Sequence, residues 1–114
     1  MKVVEAAIPP AITRIIAGNG QSISDTFQGE NIDREAAIFH HPISMAYLPG
    51  GHSDDLIIVD GNRIRRILNK TISTVLGNGI AATSPDGIVS EPSSFPINVP
   101  SSVVIDQDGN LIYW

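Results

Sequence analysis

The sequence predicts an all-β fold, and three observations carry that reading: an internal repeat, apolar runs too short for helices, and turn residues between them. Thr13-Arg14-Ile15-Ile16-Ala17-Gly18-Asn19-Gly20 returns 59 residues later as Ile72-Ser73-Thr74-Val75-Leu76-Gly77-Asn78-Gly79 in a chain of 114 residues, and self-similarity at such a period marks a repeat architecture. Pro42-Ile43-Ser44-Met45-Ala46-Tyr47 aligns likewise with Pro100-Ser101-Ser102-Val103-Val104-Ile105, and Leu56-Ile57-Ile58-Val59 with Leu111-Ile112-Tyr113-Trp114. The apolar runs are rich in Ile and Val and bounded by Gly, Asn, Asp and Pro, which is how strands and turns are written.

Taken in chain order, Lys2-Val3-Val4-Glu5 stands where the third strand of a repeat belongs, and Ile12 to Ala17 is a fourth strand closed by Gly18-Asn19-Gly20. Asp33 to Phe39 predicts two turns of helix, with Asp33 as cap and Ile38 or Phe39 turned inward. The corresponding second segment carries Pro85, Pro92, Pro96 and Pro100 and is expected to be extended and surface-lying. Pro42 to Tyr47 opens the next repeat. Asp60-Gly61-Asn62 then links Leu56-Val59 to Arg63-Ile67 as a tight hairpin, and Asp106-Gln107-Asp108-Gly109-Asn110 does the same before Leu111. Leu56-Val59 and Val103-Ile105 are apolar at consecutive positions, so both faces should be covered, whereas Arg63-Ile67 is mixed, as an outer strand would be. Small four-stranded antiparallel sheets, buried on both faces and joined by short links, describe the blades of a β-propeller stacked face to face.

Ile72 to Gly79, Ala37-Ile38-Phe39-His40-His41-Pro42, Val103 to Leu111 and Asn62 to Ile67 together resemble NHL repeats and cover nearly the whole chain. The resemblance implies blades of four strands, usually six to a ring, forming a binding platform for protein or RNA and in some members an enzyme scaffold. The linking segment is longer here than in the family, with Ser, Thr and Pro in place of its glycine-rich stretch.

Within residues 1–114, read as one unit, residues 2–17 are an outer half-blade, 42–77 a full blade and 100–114 the complementary inner half-blade. Two blades cannot close a ring, since propellers need about four to eight. The expectation is therefore that Leu111, Ile112, Tyr113 and Trp114 of one molecule pair with Lys2, Val3, Val4 and Glu5 of another, three chains making a homotrimer of six blades. The alternative is a fragment, natural or engineered, of a larger propeller that is a lyase- or lactonase-like enzyme or an RNA binder.

The remaining features carry little chemistry. A net charge of −5 disfavours nucleic acid, which is held by clustered Lys and Arg; the one basic cluster is Arg14, Arg63, Arg65, Arg66 and Lys70. Without cysteine there is no disulfide or thiolate metal site. His40, His41 and His52 could pair with Asp54 or Asp55 on a metal, but are read as structural or solvated. Asp106 begins like a calcium loop yet lacks the distant acidic ligand, and neither Gly-Asn-Gly is followed by a P-loop lysine. No Gly-x-Ser-x-Gly elbow is present, and no run reaches the roughly 18 apolar residues of a membrane span. The expectation is a soluble, non-enzymatic scaffold with no catalytic residue, metal or cofactor, whose partners are itself and a protein or small ligand of unknown identity, in an unknown compartment.

Overall fold

Hairpin turns set the frame of the molecule. The computed structural model of the chain describes residues 1–6, 13–21, 30–50, 55–83 and 91–114. Nine strands run in order: β1 (Val3–Ala6), β2 (Thr13–Ala17), β3 (Ile32–Asp33), β4 (Pro42–Tyr47), β5 (Leu56–Asp60), β6 (Arg63–Leu68), β7 (Thr71–Leu76), β8 (Val103–Ile105) and β9 (Leu111–Tyr113). All pairings are antiparallel, so the all-β reading holds. The only helix among the described residues is a single 3-10 turn, Pro92–Ser94.

Gly61, at φ +60°, turns β5 into β6 with Asp60 paired to Arg63. The Asp106 loop does the same between β8 and β9, its backbone closing through Asp106 N–H to Asn110 O at 3.0 Å and Gly109 N–H to Asp106 O at 3.1 Å. Both expected hairpins form. The sheet order is β3-β7-β6-β5-β4, flanked by the separate pairs β1-β2 and β8-β9.

The repeat is one of register as well as of sequence. β1 pairs with β2 through Val3 and Ala17, then Val4 and Ile15, with a bulge between. β6 pairs with β7 through Ile64 and Leu76, then Arg65 and Thr74, with the bulge at the same place. Met45, Ala46 and Tyr47 face Ile58, Ile57 and Leu56 just as Val103, Val104 and Ile105 face Tyr113, Ile112 and Leu111. Gly18 and Gly77 explain why their motif recurs: each has φ above +90°, and a Cβ would collide with the carbonyl oxygen of Met1 or of Asn62. Each donates its N–H to the following link, Gly18 to Arg34 O at 2.8 Å and Gly77 to Pro92 O at 3.0 Å.

The middle of the five-stranded sheet is buried on both sides. Leu56, Ile58, Ile67 and Ile72 pack with Val3, Ile16, Ala17, Ala37 and Phe39 in one core. Ile57, Val59 and Ile64 pack with Ile97 and Val103 in the other. Phe39 and Ile97 hold equivalent places in the two links, so each link feeds one apolar side chain into the layer beside it.

Five expectations need correcting. No helix spans residues 33–39: Ile32 and Asp33 pair with Ile72 and Thr71 at the outer edge of β7, committing to a ladder the backbone groups that a helix would use. Asp33 Oδ1 instead accepts the Glu35 N–H at 2.8 Å, and Ala37 and Phe39 are buried at extended spacing. The complete sheet consequently has five strands, not four. The second link lies on the surface at Pro92–Ser94 but buries Ile97 and Pro100. β6 is the central strand of the sheet, with Ile64, Arg65 and Ile67 fully buried, and Val104 in β8 is exposed on one side. No helix among the described residues is long and apolar enough to cross a membrane.

Candidate interaction surface

The eight residues expected to meet between molecules are divided between two sheets on opposite sides of the central one. At the head, Val3 turns into the core while Val4 is exposed; Glu5 pairs through the backbone with Arg14. Lys2 is exposed and lies against Gly20, its Cε 2.8 Å from where a Cβ would be. The N-terminal ammonium donates to Gln21 O at 2.6 Å. At the tail, Leu111 is half-buried against the second core, and Ile112, Tyr113 and Trp114 are exposed.

Trp114 exchanges hydrogen bonds with Ser102, its N–H to Ser102 O and its carbonyl to Ser102 N–H, both at 3.3 Å. Because antiparallel bonding alternates along a strand, the N–H and C=O of Tyr113 and Leu111 face away from β8, along an edge that no strand among the described residues covers. β1 has an equivalent open edge opposite β2. In the complete sheet the matching strands β5 and β6 cover one another. Burial differs as well: Ile57 is 2% exposed and its equivalent Ile112 48%, while Val59 is 0% and Trp114 62% exposed.

The other candidates are absorbed by the fold. Asp60 is buried, and its carboxylate accepts the backbone N–H groups of His40 at 3.1 Å and His41 at 2.5 Å, so these two histidines enter the structure through their backbones while their rings lie at the surface. His52 and Asp54 lie outside the described residues; Asp55 is buried and accepts the Asn69 N–H at 2.8 Å. No group of three metal-ligating side chains occurs among the described residues. Asp106 is saturated by its own turn, accepting from Asp108 N, Asn110 N and Asn110 Nδ2 at 2.7 to 2.9 Å; the Asn110 side chain and then the backbone donors hold its carboxyl below the usual range. Each Gly-Asn-Gly is a strand-end turn in which the Asn Oδ1 accepts an N–H two residues on, from Gln21 or Ile80, at 2.9 Å.

The chain matches no protein-family model and no curated protein. The site therefore stands on its geometry.

The basic residues do not form one surface. Arg65 is fully buried on the side of Ile58, and desolvation lowers its pKa against the opposing pull of Glu30 and Asp60. Arg63 reaches Asn78 O at 2.9 Å, and Arg14 belongs to another sheet. Sequence reading missed the surface of β4, where Ile43, Met45 and Tyr47 are exposed. Its signal was present as apolar residues at every second position.

Proposed function

We infer that the chain is a non-enzymatic, self-assembling unit of a β-propeller similar to the NHL-repeat family, in which β9 of one copy pairs with β1 of the next. The observation that carries this reading is the contrast between equivalent positions: Ile57, Ile58, Val59 and Arg65 are buried where β5 and β6 pair, whereas Ile112, Tyr113 and Trp114 on β9 and Val4 on β1 are exposed. Apolar strand edges of this kind recruit another strand. The register follows from the complete sheet, where Leu56, Ile57, Ile58 and Val59 face Ile67, Arg66, Arg65 and Ile64. Translated by the repeat, Leu111 faces Ala6, Ile112 faces Glu5, Tyr113 faces Val4 and Trp114 faces Val3.

Such a contact is head to tail, and head-to-tail contacts close into rings where the rotation fits. Three chains supply the six blades usual in the family, and the ring serves as a scaffold or platform that binds a protein or small ligand through the loops of one face. Light scattering tests the assembly: a mass of three times 12.1 kDa is expected, and a well-folded monomer overturns the reading. Deletion of residues 1–5 uncovers the edge of β9 and is expected to turn the ring into aggregate; a truncated chain that stays soluble at the original mass shows that the two segments do not pair.

A further inference from the structure

One face of β4 carries apolar side chains that no strand among the described residues covers. Met45 and Tyr47 stand opposite Ile58 and Leu56 across the ladder and so share their face, yet Met45 is 53% and Tyr47 63% exposed. Beside them, the open edge of β1 at Val3 and Val4, together with Ile43, Met45 and Ile58, bounds a groove of about 390 Å³. On the opposite face of β4, the matching space is filled: Ala46 and Leu48 pack in the core formed with Val103 and Ile105 of β8.

The tail carries a complementary surface. Val103 and Leu111 turn toward the central sheet, so Val104 and Ile112, paired with each other, point to the other side, where Val104 is 41% exposed. Apolar side chains dominate both surfaces, Met45 and Tyr47 on one, where Lys2 also lines the groove, and Val104 and Ile112 on the other.

The geometry points to a second copy's β8–β9 pair as the occupant of the β4 groove, with Val104 and Ile112 of that copy lying on Met45 and Tyr47 of this one. The contact already made inside the chain is the template. Met45 is the repeat equivalent of Val103, and Ala46 of Val104, so the packing of Ala46 with Val103 becomes, one repeat earlier, the packing of Val104 with Met45. This inference rests on the strand-pairing reading above and adds what that reading leaves open. Edge pairing alone fixes a hydrogen-bonded line about which two sheets can swing. A side-chain seat on β4 fixes the angle between successive copies, and that angle decides between a closed ring and an open filament.

Charge swaps test the seat. Met45→Asp alone, and Val104→Lys alone, each bury a lone charge and are expected to weaken assembly at least about tenfold, since an uncompensated buried charge costs several kcal/mol. Neither should disturb the isolated fold, because both side chains are exposed there. The double variant Met45→Asp/Val104→Lys places opposite charges at every junction and is expected to regain the ring mass; the two positions lie on opposite outer faces of one chain, so the rescue is between copies. If a single variant fails to fold, a folded double variant of ring mass still supports the seat. An assembled wild type whose mass neither single variant changes overturns the seat and leaves strand pairing standing, as does failure of the double variant to recover. A monomeric wild type overturns strand pairing itself.

Discussion

The central sheet and the two terminal strand pairs are written on the same repeat pattern, yet they end in different environments. β5 is buried at all five positions, whereas its repeat equivalent β9 has one half-buried and two exposed residues. Local backbone structure is nonetheless the same, down to the bulge that β1-β2 shares with β6-β7. The difference teaches that register and twist are settled by strand neighbours within a hairpin, while burial is settled by how many layers lie on each side. The same repeat pattern leaves apolar surface exposed wherever no second layer among the described residues covers it.

The largest effect should separate the two regions directly. Ile57→Ala empties a filled core position and is expected to cost about 2–5 kcal/mol, whereas Ile112→Ala at the equivalent exposed site should cost under about 1 kcal/mol in the unassembled chain. Urea unfolding compares them, and the gap should narrow under conditions where the chain assembles. Equal costs in the dissociated chain would break the comparison.

The glycine pair sharpens it from the other side, because here the centre and the head should behave alike. Gly77→Ala and Gly18→Ala each force a Cβ onto a backbone carbonyl at positive φ and are expected to cost about 2 kcal/mol or more. Gly50→Ala, with nothing among the described residues within 4 Å of its Cβ at φ +71°, should cost only about 1 kcal/mol. Thermal melts of the three variants test this. A mild Gly18→Ala beside a severe Gly77→Ala would mean that the head pair does not hold its bulged register.

The smallest effect is confined to the tail. The Asp106 carboxyl is held below its ordinary range by the Asn110 side chain and the turn amides. Its contribution is therefore present above the ordinary aspartate pKa and is lost as pH falls through the lower, folded-state value. Relative to the intrinsic exchange rate at each pH, protection of the Gly109 and Asn110 amides should fall in acid. The same change should be absent in Asp106→Asn, and protection that holds to the lowest pH would show that the turn stands without the charge.

Much of the fold was legible because short-range chemistry writes it. Asp60-Gly61-Asn62 and Asp106 to Asn110 are turn sequences whichever sheets they serve, and the β-branched runs between them have the length and composition of strands. The helix expected over 33–39 fell to an edge of β7 lying far along the chain, and local propensity carries no information about such an edge. Arg65 was read as an outer-strand charge because its burial depends on β5 and β7 flanking it and on the layer over the face it shares with Ile58. The open edges of β1 and β9 were foreseen from the order of segments, but the apolar face of β4 was not, since alternation alone does not say which face is covered.

By itself the sequence determined the antiparallel hairpins, their repeat, and the glycine turns that close each fourth strand, all of which depend on residues within one or two turns of each other. Only the tertiary structure decided which face of each strand is covered, that a fifth strand joins the central sheet, and that Arg65 lies inside it. Burial is a property of layers brought together over long loops, and a residue's own neighbours in sequence do not specify how many layers will meet it.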